Sequence, residues 1–377
     1  MKEEKYLARE LIINVTPFET RAVLLENRTP IEIFIERENF QENTGNIYKG
    51  KVLRILPGMQ SAFIDIGLEK AAFLYVKDLA PYSIIEDDPF ESFTNEPSDD
   101  TIEIKEAHSN LRIQDILKEG QEILVQTEKC PRGTKGARVT TNIAIPGRYL
   151  VLLPYAEHIG VSRKIQDENE KERLKKLVEG LNTSNMGFIV RTAAEGKNDL
   201  ELQRDMNYLI RLWEHIKTKR NSMTAPCIIY QELELPFRLV RDLPAEEIGK
   251  IIIDNQETYI KLINYINIFW PEEQITVEYY NDEVPLFDKY GVELEISKAL
   301  DRYIWLKSGG YIVIDETEAL TIIDVNTGKY VGKDNLETTI LQTNMEAAKE
   351  IPYQLRLRNI GGIIIIDFID MQDPKNK

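Results

Sequence analysis

With 377 residues, 42% of them hydrophobic and 29% charged, the chain is long enough for two or three domains and has the composition of a folded globular protein. No apolar run approaches the ~18–20 residues of a membrane span, and the charged opening MKEEKYLARE lacks the apolar stretch of a signal peptide. A net charge of −16 argues against a uniformly basic surface for nucleic acid, although half of that charge lies in one place.

Residues 10–37 alternate apolar and polar positions, with turns at Thr16-Pro17 and Asn27-Arg28, and predict a small antiparallel sheet. Residues 46–79 contain short strands punctuated by Gly50, Pro57-Gly58 and Gly67. Further on, ILKEGQEILVQTEK adds a Gly turn and another alternating strand, and this spacing predicts a small barrel. In between, residues 81–110 hold nine acids and one base, a net −8 amid Ser, Pro and Asn, and read as a solvated insertion. Lys129, Arg132, Lys135 and Arg138 recur every third residue around a Pro-Arg-Gly-Thr-Lys-Gly turn, a local basic run despite the acidic whole. Residues 166–181 and 198–220 pattern as amphipathic helices around a buried strand, MGFIVRT, and 227–297 have strand–helix–strand character. Cys130 and Cys227, 97 positions apart, make neither a disulfide framework nor a zinc pair and point to a reducing cytoplasm.

Residues 319–326 (ALTIIDVN) and 361–370 (GGIIIIDFID) are β-branched and almost continuously apolar, as strands buried on both faces should be. The helical stretch 336–358 lies between them, with Asn335 as its cap and Pro352 expected to start a second segment. Strand, helix, strand implies a right-handed crossover and two parallel strands. Sites in such sheets form beyond the carboxyl ends of the strands, where Asp324 and Asp367 both fall. Asn326, two residues after Asp324, shares its face. Two close carboxylates repel unless a cation or proton lies between them. Magnesium is the oxygen-seeking cation that bridges carboxylates and phosphates, activates water and neutralises phosphate charge. The plainer reading is a pair of strand-end aspartates capping the elements that follow.

The runs DETEALTIIDVNTG, NMEAAKEI and QLRLRNIGGIIIIDFIDM, together with ELIINVTPFETRAVLLENRTPIEIFIERE and GNIYKGKVLRILPGMQSAFIDIGLEKAAFL, resemble the ribonuclease E/G family over essentially the whole chain. The opening is closer to the ribonuclease G branch. The motif G-x-V-x-R-I-L-P-G-M-Q-x-A-F-x-D-I-G resembles an S1 RNA-binding barrel of OB type. The resemblance implies an α+β multidomain fold. An RNase H-like subdomain would comprise 1–43 and 227–299. An S1 barrel, 44–128, would carry the acidic insertion 81–110. A 5′-phosphate sensor region would span 129–226, and a partial DNase I-like α/β catalytic subdomain 300–377.

It implies a magnesium-dependent endoribonuclease of RNA processing and decay (rRNA maturation, mRNA turnover). Such an enzyme cuts A/U-rich single-stranded RNA, leaves a 5′-monophosphate and prefers substrates that already carry one. By position, Asp324 and Asp367 match the metal ligands, Asn326 the assisting amide and Glu318 a nearby acid. Arg191 and Thr192, with Gly147 and Val151, match the pocket that reads the 5′ phosphate, and a guanidinium does fork onto phosphate. Phe63 and Phe73 match aromatics that stack on bases, and Lys135 a lysine that contacts RNA. The family is homo-oligomeric and zinc-linked through a Cys-x-x-Cys. This sequence stops ten residues after Asp367 without that pair, so an incomplete catalytic subdomain and no zinc link are expected, and self-association stays open. The alternative is a non-catalytic S1 RNA-binding fragment.

Overall fold

The computed structural model describes residues 9–37, 44–79, 112–131, 135–243, 248–269, 275–328, 336–373 and 376. The acidic stretch 81–110, Arg132 and the expected cap Asn335 lie outside the described residues. Asn27 and Arg28 both have positive φ (51° and 66°), the backbone that a two-residue type I′ hairpin turn demands. With the Thr16 hydroxyl accepting from the Phe18 and Glu19 amides, these turns fold β1 (Arg9–Val15), β2 (Glu19–Glu26) and β3 (Thr29–Arg37) into the antiparallel meander expected from the alternation.

The described residues fall into two compact units, one of 9–37 with 248–376 and the other of 44–79 with 112–243. In the second, β4 (Ile47–Leu56) pairs along its length with two neighbours, β5 (Ser61–Asp65) and β7 (Glu122–Lys129). Gly50 sits at the crossover, where a Cβ would come within 2.6 Å of the Ile64 side chain. β6 (Ala72–Tyr75) follows β5, and α1 (Ile113–Ile116) precedes β7. β8 (Arg138–Thr140) lies between β6 and β7, closing a five-strand, OB-like barrel around Val52, Ile64, Leu74, Val125 and Val139. The barrel therefore runs past the boundary expected at 128, because three residues beyond the basic turn supply its closing strand.

The same unit continues with β9 (Ile145–Pro146), β10 (Leu150–Leu153), β11 (Ile159–Val161), α2 (Glu168–Leu181), β12 (Gly187–Val190) and α3 (Asp199–Ser222). A capping box between Asn198 and Glu201 starts α3. Its buried Leu202, Met206, Leu209, Trp213 and Ile216, spaced by fours and threes, pack on Leu150, Leu152, Phe188 and Val190. β13 (Cys227–Tyr230) returns to pair with β4, and α4 (Leu235–Asp242) follows. Residues 227–243 thus stay with the barrel. The return to the N-terminal sheet, expected at 227, starts at Ile248.

In the first unit, β14 (Ile248–Ile253), α5 (Gln256–Phe269) and β15 (Thr276–Tyr279) make a parallel crossover beside β1, giving the order β15-β14-β1-β2-β3. α6 (Leu286–Lys289) and α7 (Val292–Leu300) cover one face, with Phe287 and Val292 against Ile12, Val23 and Ile252. A four-stranded sheet then forms from β16 (Tyr303–Trp305), β17 (Tyr311–Glu316), β18 (Thr321–Asn326) and β19 (Ile364–Asp367), with α8 (Leu336–Leu357) between the last two. Two expectations fail here. α8 is one helix through Pro352 rather than two segments. The proline faces solvent while its neighbour Ile351 is buried in the core, so packing holds the helix through the lost hydrogen bond. The strands are also not buried on both faces. α8 covers Ile312, Ile314, Ile323 and Val325, whereas Ile322 (42% exposed) and Ile365 (50%) point to an open face. The architecture is mixed α+β.

Two adjacent positions on α8 should therefore respond with opposite signs. Ile351→Ala should lower unfolding free energy by about 2–5 kcal/mol. Pro352→Ala, restoring a helical donor on the solvent face, should raise the melting temperature. Chemical and thermal denaturation check both, and a destabilised Pro352→Ala would contradict the account of the helix.

Candidate functional site

β18 and β19 are parallel, and their register sets Asp324 directly opposite Asp367. Neighbouring strands lie about 4.8 Å apart, so the two carboxylates, both exposed, rise side by side from the open face. Asn326, on the same face, donates from Nδ2 to Asp324 Oδ2 at 2.8 Å and fixes its orientation. The chain leaving β19 is tied to α8. Asn344 exchanges two hydrogen bonds with the backbone of Ile369 (2.8 and 3.1 Å), and the Glu337 carboxylate accepts from the Gln372 and Asp373 amides. At the other edge, Glu346 accepts from the Ser308 amide at 2.9 Å and holds the β16–β17 turn.

Two adjacent carboxylates on an open surface match what magnesium takes from a protein: one or two carboxylates, the remaining positions going to water and phosphate oxygens. Among the described residues no cluster of three or more His, Cys, Asp or Glu forms a closed metal cage, and Cys130 and Cys227 are free thiols. Glu318 is not brought to the pair. It occupies the turn before Thr321, at the opposite end of β18 from Asn326.

On the barrel, the registers line up Arg54, Phe63, Phe73 and Arg138 across four strands. Phe63 and Phe73 meet edge to face with centroids 6.0 Å apart, and Phe63 stays 36% exposed. Aromatic faces flanked by guanidinium groups suit unpaired bases and their phosphates. Lys135, exposed, lies three residues before Arg138 in the chain. Arg138 is bonded to both oxygens of Asp78 (3.1 Å each), with Glu128 at 3.3 Å. Burial, reinforced by the nearby Asp78, pushes the Glu128 carboxyl up to about 7.

The remaining expected site gathers around β10 and β12. Arg191, only 3% exposed, directly follows β12 and donates from Nη1 to the Gly147 carbonyl (2.8 Å) and to Asp242 (2.6 Å). Thr192 begins the turn that Arg191 caps, and Val151 pairs with Ile189. Gly147 must be glycine, since a Cβ would fall 2.5 Å from the Asp205 carboxylate that accepts the Arg148, Tyr149 and Leu150 amides. Burial pushes Asp205 up despite those bonds. Asp242, which sequence reasoning missed, also takes two bonds from Arg241, itself paired with Glu232 at 2.7 Å. Burial opposes its charge, yet Arg241 and Arg191 hold the Asp242 carboxyl below its usual value. In sequence RLVRDL reads as an ordinary helix end.

The model of the ribonuclease E/G family matches residues 144–377. Ribonuclease G of Escherichia coli (strain K12) is 45% identical over 372 residues, covering 98% of this chain and 73% of that protein. Ribonuclease G of Haemophilus influenzae is 46% identical over 370 residues, 98% and 72%. Ribonuclease E of Escherichia coli (strain K12) is 39% identical over 372 residues, 98% of this chain and 34% of that protein.

The barrel face carries a pH signature. With its carboxyl raised to about 7, Glu128 should take up a proton as pH falls through that value, removing one negative charge from beside Arg138. Binding of a single-stranded oligonucleotide, followed by anisotropy, should tighten across that interval, and Glu128→Gln should remove the step. A step that survives in Glu128→Gln would assign it to another group.

Proposed function

This chain belongs to the ribonuclease E/G family, and we propose that it is an endoribonuclease that hydrolyses single-stranded RNA at Asp324 and Asp367. The observation that carries this reading is their direct opposition on an open sheet face. Both carboxylates would hold magnesium, with Asn326 keeping Asp324 turned toward it. When bound, magnesium supplies an activated water and neutralises charge on the scissile phosphate. The water oxygen adds to phosphorus and the bond to the 3′ oxygen breaks. One fragment keeps a 5′-monophosphate and the other a 3′-hydroxyl. Phe63 and Phe73, with Arg54 beside them, stack and steady unpaired bases, which favours A/U-rich RNA through flexibility rather than base-edge readout.

On the same reading, β15-β14-β1-β2-β3 is the RNase H-like sheet and β16–β19 with α8 the DNase I-like one. Arg191 and Thr192 read a 5′ phosphate, with Gly147 and Val151 shaping the pocket. Substrates are the RNAs of ribosomal maturation and messenger turnover, in a cytoplasm that keeps Cys130 and Cys227 reduced. Among the described residues no helix is long and apolar enough to cross a membrane. A non-catalytic RNA-binding role is the second reading, favoured by the aromatic row standing complete on the barrel.

Cleavage of a 5′-monophosphorylated A/U-rich oligonucleotide with magnesium decides between them. Asp324→Asn and Asp367→Asn should each slow cleavage by roughly 100-fold or more, as losing a metal ligand costs several kcal/mol of transition-state stabilisation, while leaving oligonucleotide binding in place. An intact chain that binds but cuts no faster than the double variant would leave only the binding role. Arg191→Ala should shrink the rate advantage of a 5′-monophosphate over a 5′-hydroxyl end, and an unchanged ratio would remove Arg191 from that task.

A further inference from the structure

The open face of β16–β19 carries aromatic rings beside its carboxylates. The registers lay out two cross-strand rows on that face. One runs Tyr303, Val313, Asp324, Asp367; the other runs Trp305, Tyr311, Asn326. Tyr303 and Trp305 alternate on β16, and both lean on Tyr311, with ring centroids 5.9 and 5.3 Å away at tilts of 58° and 57°. Trp305 is 70% exposed and Tyr303 50%. These rings are not core, because α8 packs on the other face. Large aromatics left in water on a flat sheet mark a surface that something covers.

We propose that Tyr303, Trp305 and Tyr311 form a platform on which an unpaired nucleobase of the RNA stacks, next to the phosphate being cut. This rests on reading Asp324 and Asp367 as the hydrolytic pair. Continuity with that pair names the occupant. At a strand spacing of about 4.8 Å, Tyr311 is one strand from Asn326, and Tyr303 is two strands, about 10 Å, from Asp324. A strand of RNA whose phosphate lies at the carboxylates has its neighbouring bases within reach of these rings. Arg302 adds a cation at the rim. Its guanidinium lies 5.6 Å from the Tyr303 ring and is fixed on Asp315 by bonds of 2.5 and 2.6 Å. A base held in a duplex cannot turn its face to the sheet. The platform therefore selects single strands without reading a sequence.

The test uses the full chain and 5′-monophosphorylated A/U-rich oligonucleotides, either intact or with one abasic nucleotide moved stepwise through the positions flanking the cut. Trp305→Ala should lower kcat/KM on intact RNA by about 5- to 150-fold, the range for losing one stacked base, and Trp305→Phe should keep most of the rate. At one abasic position the Trp305→Ala loss should vanish, because base and ring act as a pair. A loss of equal size at every abasic position, or no loss at all, overturns the platform. Where the intact chain cuts no faster than the Asp324→Asn, Asp367→Asn double variant, the hydrolytic reading has failed and stacking is read from binding alone. Oligonucleotide should then quench tryptophan fluorescence in the wild type and less in Trp305→Phe, and equal quenching overturns the proposal. Equally, if Trp305→Ala leaves RNA binding intact but shifts the sedimentation of the chain, the face is a protein interface and the proposal falls.

Discussion

The parallel pairing of β18 with β19 is the constraint from which the site follows. It is imposed by α8, which must pass from the end of one strand to the start of the other and can do so only by lying across one face of the sheet. Register then sets Asp324 against Asp367, which is electrostatically unfavourable. The magnitudes decide the outcome. Two like charges about 4 Å apart in water repel by about 1 kcal/mol. Each Ile or Val buried between α8 and the sheet contributes about 1.5–3 kcal/mol, and Ile312, Ile314, Ile323 and Val325 of the sheet and Ile351 of the helix are all buried there. Packing wins, and the two carboxylates stay side by side on the open face. The opposite side of α8 is used as well, since Arg356 pairs with Glu32 of β3 at 2.6 Å and ties the helix to the N-terminal sheet.

Covering one face of the sheet leaves the other open. The sequence of β18 and β19 conceals this, because IIIID and TIIDV look like strands buried on both sides. β18 alternates in space nonetheless. Thr321, Ile323 and Val325 face α8, while Ile322, Asp324 and Asn326 face out. An isoleucine on the outer face serves strand geometry as well as one on the inner face, so composition could not separate them. What composition did convey was the spacing of Asp324 and Asn326, which period-two geometry placed on one side.

The same distinction explains which other features were legible. Local backbone rules gave the Asn27-Arg28 hairpin, the helices α2 and α3, and the short strands and glycine turns of the barrel. Contacts distant in sequence were not recoverable: β8 closing the barrel, β13 returning to β4, and Asp242 reaching Arg191 across 51 positions. Glu318, which the resemblance matched to an acid near the pair, sits in the turn before β18. Between it and Asp324 lie the rest of that turn and the extended Thr321, Ile322 and Ile323. Pro352 shows tertiary packing overriding a local signal.

Charge accounts for how an acidic chain can still present surfaces to an anion. On the barrel, Arg54, Phe63, Phe73 and Arg138 form one row, and Arg138 is paired with Asp78 and Glu128, the latter a carboxyl pushed up by partial burial and by Asp78. Around Arg191 the balance is tighter. Two guanidinium groups and two carboxylates, Arg191, Arg241, Asp242 and Glu232, are buried together and cancel. Removing one member of such a set leaves an uncompensated buried charge, a penalty of about 3–5 kcal/mol. If Arg191 reads a 5′ phosphate, it does so from this satisfied state, so a ligand must offer more than Asp242 already gives. A terminal phosphate, with two charges and three acceptor oxygens, can meet that demand. A 5′ hydroxyl brings no charge to the exchange and cannot. The buried pairing would therefore act as a threshold, making discrimination between the two ends depend on what Arg191 relinquishes as much as on what it gains.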